Sequence, residues 1–211
     1  MEEYRYLQEL TERYPALKGL EEEIRAAFLV IKESFEAGGK LLVAGNGGSC
    51  ADAEHIVGEL MKSFVKPRPL PEALKEALIR EEPGLGGALS EKLQRGLPAI
   101  ALNSHPGLTS AFLNDVDGEM AYAQQVLGYG KKGDVFLGIT TSGNAKNIRY
   151  AAVTARAMGL RVVGLTGRGG GALAALCDAA VIAPEKETYR IQELHLPIYH
   201  ALCLMLEETF F

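Results

Sequence analysis

Cysteine is scarce in this sequence. The 211 residues contain three, Cys50, Cys177 and Cys203, which is an odd number at wide spacing. This usage argues against a disulfide framework and is typical of a protein from a reducing cytoplasm. Cys50 follows a glycine-rich segment at a predicted helix start, where the pKa of a thiol can fall. We favour the simpler interpretation, a small residue that fills space.

An excess of positive charge and long apolar runs are also missing. The formal net charge is −5, so nothing favours nucleic acid or an anionic membrane as a partner. No apolar run approaches the roughly 18 residues of a membrane span. The first five residues are acidic and polar, unlike a signal peptide. We therefore expect a soluble, cytoplasmic protein.

The apolar residues that are present form short, unbroken runs rich in Val, Ile and Leu, as in parallel strands buried on both faces. These runs are 40–44, 98–102, 134–139, 161–165 and 179–182. Helical patterns surround them at 3–14, 19–36, 49–64, 119–127, 144–158, weakly at 171–176, and at 188–209. The alternation predicts an α/β fold, a doubly wound five-stranded parallel sheet flanked by helices. We assign residues 1–211 to one domain, with N-terminal helices in 1–37.

Residues 66–97 interrupt this alternation. Pro67, Pro69 and Pro71 precede a predicted helix at 72–80, and a second is predicted at 88–94 after a glycine-rich stretch. We interpret the segment as an inserted helical hairpin beside the first helix of the sheet. A lid or an oligomer contact is the alternative to a tolerated surface insertion.

Two glycine-rich segments, 45–49 and 140–144, each follow a predicted strand and open a predicted helix. Free backbone N–H groups and the helix dipole favour an anion there, and glycine lets a ligand approach the backbone. One such segment is weak evidence, because glycine also serves simple turns. Two segments with hydroxyl side chains predict a bound phosphate ester, held by Ser49, Thr141 and Ser142.

Four histidines add possible chemistry. His55 and Glu59 stand four apart and share a helix face, where they form either a surface contact, a pair of metal ligands or an acid–base pair. In the last helix, Gln192 and His200 are eight apart, about 12 Å along a straight helix. One ion cannot easily take both. Either Pro197 bends the helix or one residue reaches a neighbouring subunit's site, and we favour the neighbour.

His195 lies three residues after Gln192 and has access to either face of the last helix. A core histidine with a polar partner is the favoured interpretation.

Several segments together resemble one family, the phosphoheptose isomerases of the sugar-isomerase (SIS) domain superfamily. The matching segments are Gly45-Asn46-Gly47-Gly48-Ser49, His55-x-x-x-Glu59, Asn114-Asp115, Thr141-Ser142-Gly143-Asn144 and Arg190-Ile191-Gln192-Glu193-Leu194-His195. The resemblance covers nearly the whole chain outside 70–96. It implies conversion of sedoheptulose 7-phosphate to D-glycero-D-manno-heptose 7-phosphate by a homotetramer with active sites shared at subunit interfaces.

The resemblance also implies roles for individual residues. Glu59 and His200 would be the catalytic acid–base pair, and one zinc ion per subunit would bind His55, Glu59, Gln192 and His200. The residues that would contact substrate are Asn46, Gly47, Gly48, Ser49, Glu59, Asn114, Asp115, Thr140, Thr141, Ser142 and Gln192. Aldose–ketose isomerisation needs such a base near the sugar carbons and an acid at the carbonyl oxygen. Zinc polarises a carbonyl, but a zinc-bound Glu59 is a poorer base, so we treat the ion as organising the site.

The chain departs from the family pattern in three places. Ala145 stands where the second loop usually has another Ser, Tyr189 stands where some members have Asp, and the insertion at 70–96 is extra. The predicted acid–base pair survives all three departures.

Two other functions compete with the isomerase. The first is a non-catalytic SIS-domain protein that binds a sugar phosphate or a protein partner such as a replication initiator. Glu59 and His200 favour the enzyme over it. The second is a dinucleotide oxidoreductase, suggested by Gly45-x-Gly47. It is disfavoured because Cys50 replaces the third glycine and Asn103 ends the second strand without an acidic residue.

Overall fold

The computed structural model describes residues 2–211 and is built on a parallel five-stranded sheet. The strands are β1 (Leu41–Gly45), β2 (Ala99–Ala101), β3 (Val135–Thr140), β4 (Arg161–Thr166) and β5 (Ala179–Ile182). Their order across the sheet is β2-β1-β3-β4-β5, and every neighbouring pair is parallel. The predicted fold class is confirmed, and each strand lies within a residue of its predicted bounds.

Helices cover both faces of this sheet. They are α1 (Arg5–Arg13), α2 (Glu21–Glu36), α3 (Gly48–Met61), α4 (Glu72–Glu81), α5 (Pro83–Lys92), α6 (Pro106–Asp115), α7 (Ala121–Tyr129), α8 (Lys146–Ala157), α9 (Gly171–Ala174) and α10 (Thr188–Phe210). Alternate strand residues point to opposite faces. Leu41 and Val43 therefore join the core with α2, α3 and α10, whereas Leu42 and Ala44 join the core with α7 and α8. Burial on both faces explains the unbroken apolar runs.

The strand order reverses direction at β1. The chain leaves β1 for β2 on one side, and β3 then pairs with β1 on the other. Ligands of open parallel sheets bind beyond the carboxyl ends of the strands at such a reversal. Both glycine-rich segments lie there, since Gly45 ends β1 and Thr140 ends β3.

The inserted segment forms a helical hairpin, but its second helix differs from the prediction. That helix, α5, begins at Pro83 and not at residue 88, and it ends at Lys92. Proline suits a first helical turn, and the Glu82 side chain caps it by accepting from the Leu85 N–H. A side chain at Gly86 would collide with the backbone of Leu78. The glycines therefore allow close packing of α4 against α5 instead of separating two helices.

The helix α6 was not predicted from the sequence. None of its residues is buried, so it has no apolar stripe facing the core. Periodicity detects a helix by such a stripe, which explains the omission. Asn114 and Asp115 lie at its C-terminal end.

Among residues 2–211, no helix combines the length and the apolar character that crossing a membrane requires.

Candidate active site

A cavity of about 330 Å³ lies at the carboxyl ends of β1 and β3. Its lining consists of Asn46, Gly47, Gly48, Ser49, Ile139, Thr140, Thr141, Ala145, Thr188 and Gln192. Both glycine-rich segments thus meet at one place, as their positions after neighbouring strands predicted. Gln192 comes from α10, which passes over the start of α3. Hydroxyl and amide groups at a helix start are suited to a phosphate group.

Two glycines shape the entry to α3. Gly47 has φ +57° and ψ −121°, a backbone conformation that L side chains rarely adopt. A Cβ at Gly48 would lie 2.5 Å from Nε2 of Gln192. The absence of side chains therefore lets α10 place the Gln192 amide directly against the loop.

Two residues that the sequence analysis missed hold this loop in place. The side-chain amides of Asn46 and Asn147 exchange two hydrogen bonds of 2.9 Å, which joins the loop after β1 to the start of α8. The Tyr122 hydroxyl donates to the Gly45 carbonyl at 2.9 Å. An asparagine in the first turn after a glycine-rich segment was the available signal for Asn147. Tyr122 gave none, because α7 is remote in sequence.

Four predicted substrate contacts are not part of the cavity lining, namely Ser142, Asn114, Asp115 and Glu59. The Ser142 hydroxyl oxygen accepts the Asn144 N–H at 3.1 Å and so shapes the second loop from within. Asn114 donates from Nδ2 to Asp115 Oδ1 at 2.7 Å, and both side chains are exposed at the end of α6. Their roles toward substrate stay predictions.

A second polar cluster lies farther along α3 and α10. His55 Nε2 is 3.4 Å from Glu59 Oε1, and the His55 and His200 ring centroids are 5.0 Å apart. Glu59 is largely buried, with 14% of its side chain exposed, and its Oε2 accepts from Lys62 Nζ at 2.7 Å. The helices α3 and α10 pack side by side, so residues far apart in sequence form one cluster.

Burial affects the protonation of His200 in this cluster. It lowers the pKa of His200 below its usual range, and the nearby His55 lowers it further, while Glu59 acts in the opposite direction. His200 is therefore a neutral imidazole at neutral pH. Its Nε2 is buried and has no hydrogen-bond partner among residues 2–211, so this nitrogen is free to act on a ligand.

The structure corrects one expectation about subunits. Glu59 and His200 lie in the same cluster of one chain, so this pair is not divided between neighbouring subunits. The helix α10 runs unbroken from Thr188 to Phe210 with Pro197 inside it. Gln192 consequently stays about two turns from His200, at the phosphate end of the site.

The zinc site stays a prediction, and the residues present match it in donor type but not in arrangement. Two imidazoles and a carboxylate are ligand types that zinc prefers, and the unpartnered Nε2 of His200 suits a ligand. Within residues 2–211, however, no group of three or more His, Cys, Asp or Glu side chains is arranged to hold a metal. The donors fit zinc in kind, and Gln192 does not complete the set within one chain.

His195 and Cys50 take no part in either cluster. His195 is fully buried, and its Nε2 donates to the Thr166 carbonyl at 3.0 Å. This confirms the core interpretation of that histidine. Burial raises the pKa of the Cys50 thiol, and nearby Glu54 adds to the rise. The thiol is therefore not activated by its place at a helix start.

Comparison with known proteins agrees with this fold and site. The family model described as SIS domain matches residues 5–78 and 85–167, so the chain is a SIS-domain protein. The phosphoheptose isomerase of a Nitratiruptor species is 36% identical over 206 residues, covering 96% of each chain. That of Helicobacter hepaticus is 40% identical over 184 residues, covering 87% of this chain and 81% of the relative. This chain belongs to the phosphoheptose isomerase family, a family of phosphosugar isomerases.

Solved structures give the same result. The phosphoheptose isomerase from Francisella tularensis superimposes with a TM-score of 0.76 at 29% identity, covering 97% of this chain and 95% of that one. The phosphoheptose isomerase of Neisseria gonorrhoeae gives 0.74 at 31% identity, covering 98% and 94%. The family model also matches residues 70–78 and 85–96, so most of the hairpin belongs to the family pattern, and the expectation that 70–96 is extra is wrong.

Proposed function

We propose that this phosphosugar isomerase converts sedoheptulose 7-phosphate to D-glycero-D-manno-heptose 7-phosphate. The observation that carries the proposal is the separation of two polar clusters along the packed helices α3 and α10. Gln192 meets Gly48 at one end, and His55 meets His200 at the other. A phosphate-binding end and an acid–base end are thereby held apart by about two helical turns.

This separation favours a long sugar. Extended chains gain about 1.2 Å per bond, so the carbonyl carbon and the phosphorus of a seven-carbon 2-ketose 7-phosphate lie roughly 8 Å apart. Two helical turns span about 11 Å, and side chains shorten the gap at each end. A seven-carbon substrate therefore reaches from the loops to Glu59, whereas a five-carbon ketose phosphate falls short by about two bonds.

The proton transfers are assigned to Glu59 and His200. The Glu59 carboxylate takes a proton from C1 of the ketose, while His200 delivers a proton to the carbonyl oxygen at C2, which gives an enediol. Glu59 then returns its proton to C2, and His200 recovers one from the hydroxyl at C1, which leaves the aldose. A neutral imidazole is suited to exchanging protons between neighbouring oxygens.

We further propose that zinc binds to His55, Glu59 and His200, with Gln192 of a neighbouring subunit as the fourth ligand in a homotetramer. When bound, zinc supplies polarisation of the sugar carbonyl and order among the ligands. The unpartnered His200 Nε2 supports a ligand at this place. Gln192 lies about two helical turns from His200 along the unbroken α10 of its own chain, which is why a Gln192 from a neighbouring subunit is invoked.

The test is a comparison of ketose phosphates of five, six and seven carbons with purified protein, with and without added zinc. We expect turnover of the seven-carbon substrate, loss of at least a hundredfold in kcat for Glu59→Gln, and no change for Glu76→Gln on the exposed hairpin. Binding of the sugar phosphate without turnover would instead indicate a non-catalytic SIS-domain protein. Equal turnover of the five-carbon substrate would contradict the length argument.

A further inference from the structure

His55 is the first member of a hydrogen-bonded chain that leads away from the acid–base cluster. Its Nδ1 lies 2.9 Å from the Tyr199 hydroxyl, and that hydroxyl lies 3.3 Å from Asp52 Oδ1. Asp52 and His55 come from α3, and Tyr199 comes from α10. The His55 and Tyr199 rings also pack edge to face, with centroids 5.4 Å apart. The hydrogen bond and the ring contact together orient the His55 ring, although 41% of its side chain is exposed.

The direction in which the Tyr199 hydroxyl donates its proton decides which ring nitrogen of His55 carries a proton. Tyr199 is buried, and the ordinary pKa of a tyrosine hydroxyl is about 10, so at neutral pH the proton stays on the oxygen. The second oxygen of Asp52 is buried with no partner among residues 2–211. A buried carboxylate without a donor is costly, so Tyr199 donates to Asp52. The tyrosine oxygen can then only accept from His55.

The contact of His55 Nε2 with Glu59 is consistent with a proton on Nδ1. The 3.4 Å between His55 Nε2 and Glu59 Oε1 is longer than a well-formed N–H···O hydrogen bond. Glu59 also receives a shorter bond from Lys62. Nothing in this geometry requires a proton on Nε2.

We propose that Asp52 and Tyr199 are positioning residues that fix a proton on Nδ1 of His55, so that the lone pair of Nε2 faces Glu59. A lone pair and a carboxylate that face each other repel unless a cation or a proton lies between them. His55 is thus prepared to bind a metal ion or to accept a proton beside the acid–base pair. The use of His55 in isomerisation rests on the proposed function. The assignment of its proton to Nδ1 does not depend on that function.

The direct test is NMR of isotope-labelled histidine in metal-free protein at about pH 8, above the usual imidazole pKa. The His55 signals are assigned with His55→Gln. We expect the proton on Nδ1 in the native protein and a shift toward the Nε2–H form in Tyr199→Phe. Tyr4→Phe is the matched control, since Tyr4 packs edge-on against Phe28 at 5.9 Å, away from His55. A proton on Nε2 of the native protein overturns the proposal, and so does an unchanged form in Tyr199→Phe.

Zinc affinity gives a second readout that is independent of turnover. Competition against a chromophoric chelator should show zinc binding weakened by about 10–100-fold in Tyr199→Phe, with a smaller loss in Asp52→Asn. Unchanged affinity in both variants overturns the positioning role. Absence of sugar-phosphate turnover in the native protein would refute the proposed function and leave the NMR result standing.

Discussion

Burial determines the roles of the two histidines in the last helix. His195 and His200 stand five apart on α10 and have different roles because their surroundings differ. His195 is enclosed in the core and tied to the end of β4, whereas His200 keeps one nitrogen free beside Glu59. Burial lowers the pKa of His195 from 6.5 to about 4, although its hydrogen bond to Thr166 acts in the opposite direction.

This shift predicts a loss of stability in mild acid. Unfolded His195 takes up a proton near pH 6.5 but folded His195 only near pH 4, so the unfolded chain binds more protons between these values. The contribution of His195 to the free energy of unfolding is fully present above about pH 6.5, and roughly 3 kcal/mol of it is lost as the pH drops to about 4. Urea unfolding measures the free energy of unfolding at pH 7 and at pH 5. Between these two pH values it should decrease by about 2 kcal/mol less in His195→Gln than in the native protein. Equal falls would contradict the assignment.

The second glycine-rich loop predicts graded effects on substrate affinity. Thr141 lines the cavity, whereas the Ser142 hydroxyl supports the loop by accepting the Asn144 N–H. Thr141→Val should raise KM for the sugar phosphate about tenfold by removing a direct contact, and Ser142→Ala should raise it less. Steady-state kinetics and inorganic phosphate as a competing inhibitor measure both effects. A larger effect of Ser142→Ala would place the phosphate nearer Ser142.

At the scale of elements, a buried ion pair connects the end of α3 to α10. Arg68 and Glu207 are both almost fully buried and lie 2.8 Å apart, and Glu207 also accepts three backbone N–H groups of residues 64–66. Arg68 in turn donates to the carbonyls of Leu60 and Glu59. The pair therefore fixes the helix turn that carries Glu59.

Removing one partner of this pair should be costly. Arg68→Met leaves the Glu207 charge without its ion pair and should lower the free energy of unfolding by about 3–5 kcal/mol, and Arg68→Met with Glu207→Gln should recover part of the loss. Denaturant unfolding measures both. Arg25→Met is the control, because its ion pair with Glu22 is exposed and should contribute less than about 1 kcal/mol. A loss in Arg68→Met no larger than in the control would contradict the role of the pair.

At the scale of the whole molecule, the question is which parts of the site one chain supplies. Glu59 and His200 belong to one chain, so mixing Glu59→Gln protein with His200→Asn protein should restore no activity. The proposed partner role of Gln192 predicts the opposite for Glu59→Gln mixed with Gln192→Ala, because some mixed sites would contain both intact groups. Native mass spectrometry must first show that mixed oligomers form. Recovery in the first mixture, or none in the second, would contradict this division.

The strands, the two glycine-rich loops and most of the helices could be predicted from the amino-acid sequence. Parallel strands buried on both faces leave unbroken apolar runs, and a loop at a strand end is marked by its glycines, so both are local signals. The start of α5 and the whole of α6 were missed. One depends on the packing of a glycine against a neighbouring helix, and the other buries no residue.

Which polar residues meet depends on the three-dimensional packing of the helices. The spacing along one helix correctly separated Gln192 from His200, but it was silent on Glu59 and His200, which belong to different helices. Their meeting depends on how α3 packs against α10. The same packing creates the contact of His55 with Tyr199, 144 residues away, and through it the link to Asp52. Such contacts follow from the relative placement of helices after the core has formed, and periodicity within one segment carries no information about that placement.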